Sequence, residues 1–260
     1  MAGSVARSST TSGTSGGKRR ASKSAAKAKA EKLYSRLFAE LARVAELSAV
    51  ERRLRDFGFR AIAGTDEVGR GCLAGPVVAA CVILDAEPTL LRVNDSKLIV
   101  DFEHRLTVCR HVLDRARAVA VGVVEPVTID RINILQASKL AMQQAVENLP
   151  VRPDVLLLDA VTLESVEMPQ VPLIEGDRRS VSIAAASVVA KVYRDLLMES
   201  YHAVYPVYDF AHNRGYATEG HQAALKLYGP SPIHRRSFEG VDEPMLLFAR
   251  EDGEDGGSTR

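Results

Sequence analysis

The sequence predicts an α/β fold in which about five strands form a central sheet covered by helices. Short apolar runs, which indicate strands, alternate with longer segments whose apolar residues recur every three or four positions, as in amphipathic helices. The run from Gly75 to Leu84 is apolar on both faces, which is typical of a strand buried between two layers. Strands that alternate with helices in this way form a layered α/β sheet.

The predicted elements follow one another closely from residue 59 onward. Strands are predicted directly ahead of Asp66 and at residues 75–84, 118–124, 155–158 and 172–174. Helices are predicted at residues 102–117, from Thr128 to the prolines at 150 and 153, and at residues 181–201 and 218–228. In the first two helices, Leu113 and Leu135 are expected to face the core.

Composition divides the chain into four segments. Residues 1–24 are rich in Ser, Gly, Thr, Ala and basic residues with little to bury, which predicts a disordered basic tail. Residues 25–56 carry Leu33, Leu37 and Leu41 at helical spacing, which predicts an amphipathic helical extension. Residues 57–248 form the predicted compact domain, and residues 249–260 are an acidic, glycine-rich stretch predicted to be disordered.

The net charge of +1 conceals an uneven distribution along the chain. Residues 1–36 contain nine basic residues and one acid, whereas residues 251–260 contain four acids and one arginine. The body between them is mildly acidic and cannot hold a polyanion by bulk charge. A nucleic-acid partner would therefore require a local patch, bound cations or the basic tail.

Several classes of protein are disfavoured by composition. The sequence has no run of about 18 apolar residues that could span a bilayer and no apolar segment after the first basic residues, so neither membrane insertion nor secretion is expected. A transit peptide is also disfavoured, because the first 17 residues have no amphipathic face. Cys72, Cys81 and Cys109 are odd in number and lack metal-type spacing, which predicts free, reduced thiols and a cytoplasmic location.

The strongest candidate for chemistry is the pair Asp66 and Glu67, which runs directly into the turn Gly69-Arg70-Gly71. Side chains on a strand alternate between faces, so these two carboxylates should converge only if the backbone leaves strand geometry between them. Glycine permits such a departure and lets a ligand approach the main chain. Acids before a glycine turn are, however, often no more than a solvated turn.

Three apolar strands end in acids, namely Asp66 with Glu67, then Asp159, and then Asp177. Ligands of open α/β sheets collect at the carboxyl ends of strands, where such residues can meet. Clustered carboxylates repel one another unless a positive charge lies among them, and oxygen ligands favour Mg²⁺ or Mn²⁺. Two such ions about 4 Å apart are the site that nucleases use to cleave phosphodiesters.

Simpler roles remain open for several of these acids. Asp159 could merely end a strand, and Asp177 could cap the helix that begins near Ser180. Asp195 follows Lys191 by four positions on a predicted helix, where a structural ion pair is expected rather than catalysis.

The chain closely resembles the bacterial ribonuclease HII family, the type 2 ribonucleases H. The resemblance spans about residues 60 to 238 and is carried by these segments, in order: residues 63–71 (AGTDEVGRG), 73–80 (LAGPVVAA), 94–97 (NDSK), 158–159 (LD), 176–177 (GD), 182–187 (SIAAAS), 190–192 (AKV), 194–195 (RD), 215–218 (GYAT), 231–235 (SPIHR) and 237–238 (SF). Val68 and Cys72 depart from the usual alanine and proline, which affects only the fine geometry of the turn. The basic tail and its helix lie outside the resemblance.

The resemblance implies a ribonuclease H-like fold with a mixed central sheet of about five strands flanked by helices, an extra N-terminal helix and disordered termini. It implies an endonuclease that cuts 5′ of a ribonucleotide in RNA/DNA hybrids or in duplex DNA, leaving 3′-hydroxyl and 5′-phosphate ends. Two Mn²⁺ or Mg²⁺ ions would be held by the four acids Asp66, Glu67, Asp159 and Asp177. One ion would activate the attacking water, and the other would stabilise the departing 3′-oxygen.

The resemblance also implies how substrate is bound. Gly69, Arg70 and Gly71 would read the 2′-hydroxyl through main-chain groups, because that hydroxyl distinguishes RNA from DNA. Tyr216 would pack against the sugar that follows the ribonucleotide and so select the RNA-to-DNA junction. The expected phosphate contacts are Lys97, Ser187, Lys191 and Arg235. A monomer is expected.

Three other readings compete with this one. A different ribonuclease H-like nuclease or strand-transfer enzyme would also gather carboxylates, but it has no need of a 2′-hydroxyl reader. Ribonuclease HIII would be expected to carry a folded N-terminal domain, for which the first 56 residues are too short and too polar. A non-catalytic nucleic-acid-binding protein would bind through the basic tail without metal.

Overall fold

The computed structural model describes residues 15–85 and 102–242. The predicted loop at residues 94–97 and the predicted tail at residues 249–260 lie outside this range. The strands are β1 (Ile62–Val68), β2 (Val77–Leu84), β3 (Ala116–Val124), β4 (Val155–Asp159) and β5 (Gln170–Leu173). The helices are α1 (Ser15–Leu47), α2 (Ala49–Asp56), α3 (Phe102–Arg115), α4 (Pro126–Ile132), α5 (Ile134–Glu147), α6 (Val181–Val204), α7 (Phe210–Asn213) and α8 (Glu219–Tyr228).

The five strands form one mixed sheet in the order β3-β2-β1-β4-β5, which confirms the predicted fold class. Strands β3, β2 and β1 pair antiparallel, whereas β1, β4 and β5 pair parallel. The carboxyl ends of the three parallel strands therefore lie at the same edge of the sheet.

Strand β2 forms the centre of the hydrophobic core. Val78, Ala80 and Val82 pack on the side of α3 and α6, and the residues between them pack on the side of α5. The whole of β2 is buried, as expected for a strand covered on both faces. The sheet is thus the middle layer of three.

Two glycines allow the covering helices to approach the sheet closely. A Cβ added to Gly64 in β1 would lie 2.2 Å from the carbonyl carbon of Ser182 at the start of α6. A Cβ added to Gly122 in β3 would lie 2.0 Å from the carbonyl oxygen of Ala141 in α5. The start of α6 therefore lies directly over the strand that carries Asp66 and Glu67.

The helical segment predicted after Thr128 is divided into α4 and α5. Asn133 has φ 66°, and its side chain accepts hydrogen bonds from the N–H groups of Leu135 and Gln136, so it ends one helix and caps the next. The inward positions predicted for Leu113 and Leu135 are wrong, because these side chains are 50% and 44% exposed.

The three cysteines are free, as predicted, and all three are buried. Burial raises the pKa of the Cys109 thiol to about 11, so this thiol is protonated at neutral pH. Within residues 15–85 and 102–242, no helix is long and apolar enough to cross a membrane.

The N-terminal region differs from the predicted segments. Helix α1 begins at Ser15, within the stretch predicted to be disordered up to residue 24, and residues 1–14 lie outside the described range. In α1 the predicted apolar face, including Leu33 and Leu37, is exposed. The chain divides into two compact units between Arg43 and Val44, so the second unit begins before the predicted boundary at residue 57.

Helix α2 is part of the second compact unit. Leu47 and Glu51 are buried, although both precede the predicted domain boundary. The Ser180 hydroxyl and the Ser182 N–H donate hydrogen bonds to Glu51 Oε1 at 2.5 and 3.0 Å. The Glu51 carboxylate therefore lies at the N-terminus of α6, where a negative charge is stabilised by the helix dipole.

We expect a chain that begins at Val44 to keep the stability of the second unit, and a chain that begins at Phe57 to lose about 3 kcal/mol. The second truncation removes the apolar contacts of Leu47 and the buried carboxylate at the start of α6. Urea unfolding of the two truncated proteins would measure the difference.

Two substitutions at Glu51 provide a matched control. Glu51→Gln should be less destabilising than Glu51→Ala, because the amide oxygen can still accept both bonds. Equal unfolding midpoints for both truncations would contradict the assignment of α2 to the second compact unit.

Candidate active site

The ends of β1 and β4 bring three predicted acids to one edge of the sheet. The parallel register pairs Thr65 with Leu158, so Asp66 and Asp159 follow at neighbouring positions on adjacent strands. Burial is the main cause that raises the pKa of both Asp66 and Glu67, and the charge on Asp159 contributes to each increase. The three carboxyl groups therefore share one electrostatic environment.

Asp66 is the most strongly perturbed of these acids. Burial raises the pKa of its carboxyl group to about 8, and the charge on Glu67 adds to the increase. A hydrogen bond with the Ser187 side chain acts in the opposite direction, because it favours the ionised form. Without a compensating cation, Asp66 is therefore largely protonated at neutral pH.

Glu67 has a partner of opposite charge. Burial raises the pKa of its carboxyl group, while the Arg70 guanidinium, with Nη1 3.1 Å from Oε1, opposes the increase. Arg70 is about half exposed, and it belongs to the turn that follows β1. The turn therefore supplies positive charge to the edge where the acids meet.

Asp177 lies close to the same edge, beyond the end of β5. It is buried in a 3₁₀ helix, Gly176–Arg178, and the N–H of Gly176 donates a hydrogen bond of 2.8 Å to Asp159 Oδ1. The alternative role of helix cap belongs instead to Ser180, whose side chain accepts from the Ile183 N–H at the start of α6. The backbone beside Asp177 thus holds the Asp159 carboxylate in place.

The backbone does not leave strand geometry between Asp66 and Glu67, which was the condition expected for their convergence. Both residues, and Val68 after them, pair in regular register with β2. The turn begins only at Gly69, whose φ of +93° is one that other residues rarely adopt. Strand β1 continues because its ladder to β2 extends past the point where its pairing with β4 ends.

Arg194 lies against the turn, a position that its sequence context did not predict. A Cβ added to Gly69 would lie 2.2 Å from Arg194 Nε, so the turn rests directly on this side chain. The buried guanidinium donates to three backbone carbonyl oxygens, those of Ala74, Pro76 and Arg214. The available signal was an arginine on a predicted helix whose first part, residues 183–190, is mostly small and apolar.

Arg235 does not occupy the position of a phosphate contact, contrary to expectation. Its side chain is fully buried and donates from Nε and Nη2 to the Gly75 carbonyl oxygen and from Nη1 to the Arg70 carbonyl oxygen. Burial lowers the pKa of Arg235 to about 10, so it is still charged at neutral pH. It holds the backbone of the turn from within the protein.

The other expected phosphate contacts are placed differently from one another. Ser187 is buried and hydrogen-bonds Asp66, whereas Lys97 lies outside the described residues. Lys191 Nζ forms an ion pair with Asp195 Oδ1 at 2.5 Å, which confirms the structural pair predicted for these residues. Asp195 also pairs with Arg105, at 3.0 Å.

Tyr216 lies beside this ion pair with its ring partly exposed. Lys191 Nζ is 6.0 Å from the centre of the Tyr216 ring, and 43% of the residue is accessible to solvent. Burial of the remainder, together with Cys72, raises the pKa of the Tyr216 hydroxyl, so it is neutral at physiological pH. A neutral, accessible ring is suited to packing against a sugar.

The chemistry of the acids fits a divalent cation. They supply hard oxygen donors, and their mutual repulsion at Asp66 would be relieved by positive charge. Among the described residues, no three His, Cys, Asp or Glu side chains are already arranged to hold a metal ion. Binding would therefore require these side chains to draw closer together.

We expect Asp66→Asn to stabilise the metal-free protein at pH 8. The folded-state pKa of about 8 exceeds the ordinary value of 3.8, so the unfolded chain ionises first and stability falls as pH rises through this window. The neutral amide removes that fall and should give a gain on the order of 2 kcal/mol at pH 8 and almost none near pH 4.

Urea unfolding in the presence of a chelator at both pH values would measure this effect. Ser187→Ala is the matched control, because it removes a bond that favours the ionised carboxylate and should steepen the loss of stability. If the free energy of unfolding of Asp66→Asn had the same pH dependence as that of the parent protein, the assigned environment of Asp66 would be contradicted.

Comparison with known proteins identifies the family. The family model described as Ribonuclease HII matches residues 63–241. The chain is 55% identical over 186 residues to a ribonuclease HII of Lactobacillus delbrueckii, covering 72% of each, and 52% identical over 197 residues to one of Pediococcus pentosaceus, covering 76% of each. The crystal structure of ribonuclease H2 from Pyrococcus horikoshii aligns with a TM-score of 0.57 at 25% identity, covering 69% of this chain and 94% of that one. The chain therefore belongs to the ribonuclease HII family, the type 2 ribonucleases H.

Proposed function

We propose that this endonuclease hydrolyses the phosphodiester on the 5′ side of a ribonucleotide, in RNA/DNA hybrids or at single ribonucleotides within duplex DNA. The products would carry 3′-hydroxyl and 5′-phosphate ends. The main supporting observation is that Asp66, Glu67 and Asp159, which come from two strands, share one electrostatic environment at a sheet edge. That edge adjoins the turn of Gly69, Arg70 and Gly71.

Asp66, Glu67, Asp159 and Asp177 would hold two divalent ions, Mg²⁺ or Mn²⁺. Such ions, when bound, supply an activated water and stabilise charge on the departing oxygen. The high pKa of Asp66 supports this assignment, because a nearby cation would favour the ionised carboxylate that burial alone disfavours. The Gly176 N–H would keep the Asp159 carboxylate oriented while ligands are exchanged.

The turn would recognise the ribonucleotide through its main chain. A 2′-hydroxyl both donates and accepts hydrogen bonds, so it can be read by backbone groups that a ligand can approach closely. Arg194 beneath Gly69 and Arg235 on the Arg70 carbonyl support this role, because they hold the backbone rigidly. Tyr216 would pack against the next sugar and exclude a second 2′-hydroxyl there.

The proposed setting is the removal of ribonucleotides during DNA replication and repair in the cytoplasm, by a monomer. Free, buried cysteines are compatible with a reducing compartment. Lys191 could contribute a phosphate contact only by exchanging its ion pair with Asp195.

We expect a DNA duplex with one embedded ribonucleotide to be nicked in Mg²⁺ or Mn²⁺, and Asp66→Asn and Asp159→Asn each to lower the rate at least about a thousandfold. Each variant removes a charged oxygen needed to hold the ions. Gel analysis of end-labelled duplexes would give the rate and the position of the cut. An all-DNA duplex is the control, and Glu164→Gln, at an exposed position paired with Lys139 of α5, should cut normally. Parental rates in both Asp variants would refute the assignment.

We expect Tyr216→Ala to slow cleavage at a single ribonucleotide roughly tenfold more than cleavage within a long RNA/DNA hybrid. Loss of the ring would remove packing against the deoxyribose, and that contact exists only at an RNA-to-DNA junction. The ratio of kcat/KM for the two substrates is the measurement, with Tyr216→Phe as the variant that keeps the ring. Equal slowing on both substrates would remove the proposed role of Tyr216.

A further inference from the structure

A buried pair of histidines lies behind Tyr216 and is not used by the proposed chemistry. His221 begins the buried side of α8, and His234 lies in the segment that also carries Arg235. Their Nε2 atoms are 2.9 Å apart, and both rings are almost completely inaccessible to solvent. Each ring has a further partner at its Nδ1 atom, so the two histidines form the middle of a longer chain of hydrogen bonds.

The partners determine where the protons lie. The backbone N–H of Ser231 can only donate, and it donates to His234 Nδ1 at 2.9 Å, so this nitrogen is an acceptor. The Ser231 hydroxyl, whose Oγ is 2.8 Å from the same nitrogen, then donates to it as well, and the neutral ring carries its proton on Nε2. That proton is donated to His221 Nε2, which leaves the proton of His221 on Nδ1. His221 Nδ1 in turn donates to the carbonyl oxygen of Tyr216 at 2.8 Å.

This order of protons holds only while both rings are neutral. A second proton on His234 would place an N–H against the Ser231 N–H, and a second proton on His221 would place one against the Nε2–H of His234. The rings of Tyr208 and Phe210 pack against the pair, and the charge on Arg236 also disfavours protonation of His234. Burial lowers the pKa of His221, and it lowers that of His234 to about 4, so both are neutral at pH 7.

The same segments are tied to the Gly-Arg-Gly turn. His234 pairs with Ala74 in an isolated β-bridge, and the N–H of Leu73 donates to the Gly215 carbonyl oxygen at 2.8 Å. Residues 73 and 74 are separated from the turn only by Cys72, and Gly215 directly precedes Tyr216. The histidine pair therefore spans the gap between the backbone of the turn and that of Tyr216.

We propose that His221 and His234 are positioning residues, whose ordered hydrogen bonds set the position of Tyr216 relative to the turn and thereby the preference for an RNA-to-DNA junction. This inference rests on the proposed function of Tyr216. Neither histidine touches the substrate or the acids in this scheme. The Tyr216 carbonyl oxygen also accepts from the Thr218 N–H, so the bond from His221 adds a second constraint on the same atom.

Two substitutions at His221 separate this role from a purely structural one. In His221→Asn the amide nitrogen takes roughly the place of Nδ1, so the bond to the Tyr216 carbonyl is kept and the partner of His234 is lost. In His221→Gln the amide lies near the position of Nε2, so the partner of His234 is kept and the bond to Tyr216 is lost. Each variant loses one buried hydrogen bond, and similar losses of stability are expected.

The experiment measures kcat/KM of the full chain and both variants on a single-ribonucleotide duplex and on a long RNA/DNA hybrid. The ratio for the two substrates cancels changes common to both, including effects on the acids. The ratio is kcat/KM on the single-ribonucleotide duplex divided by kcat/KM on the hybrid. We expect this ratio to fall roughly tenfold in His221→Gln and to stay within about twofold of the parent value in His221→Asn. Equal ratios in the two variants would overturn the inference.

Nitrogen-15 NMR of the histidine rings in the unchanged protein provides a second test that needs no activity and no variant. We expect neutral rings at pH 7, with the proton on Nδ1 of His221 and on Nε2 of His234. The opposite tautomers, or a charged ring, would overturn the inference. If the unchanged protein cuts neither substrate, the proposed function fails and the effect on selectivity fails with it, whereas the tautomers still report on the hydrogen-bond order.

Discussion

The burial of Asp66 beside two other carboxyl groups is the constraint on which the site depends. In isolation, this arrangement opposes ionisation and raises the pKa of Asp66 to about 8. The surrounding residues reduce the conflict locally: Ser187 hydrogen-bonds Asp66, Arg70 pairs with Glu67, and the Gly176 N–H bonds Asp159. The fold thus holds acids in a state that favours the arrival of positive charge, which is the condition for metal-dependent chemistry.

The turn beside the acids is supported by buried positive charge. Arg194 and Arg235 each donate to backbone carbonyl oxygens around the turn, and both are fully inaccessible to solvent. A buried guanidinium is stable only when its donors are satisfied, and the planar group can bind several carbonyl groups at fixed angles. These two side chains therefore give the turn a rigid backbone that its glycines alone would not provide.

Much of the fold, and the meeting of three of the predicted acids at one edge of the sheet, could be predicted from the sequence, because both follow from local patterns. Short apolar runs located four of the five strands closely, and parallel strands place the acids that follow them at a common edge. The interior roles could not be predicted in the same way. Arginine is a residue type that often contacts phosphate, so the sequence favoured that role for Arg235. Only its neighbours in the structure show that its donors are directed to carbonyl groups.

The regular course of β1 illustrates the same limit. Whether a strand continues through Asp66 and Glu67 depends on its ladder with β2, which is formed by residues more than ten positions away. The boundary of the domain was likewise decided by long-range contacts, since Leu47 and Glu51 pack with residues far along the chain. These partners cannot be predicted from local composition.

The contact between Glu51 and the start of α6 has a consequence for how such proteins diversify. The family match begins at residue 63, yet a carboxylate twelve positions earlier is bonded to the helix that carries Ser187, Lys191 and Arg194. If the N-terminal region were replaced up to residue 63, where the family match begins, Glu51 would be lost and the N-terminus of α6 would lack its bonded carboxylate. Grafting of new N-terminal regions onto this enzyme is therefore compatible with its architecture only upstream of α2.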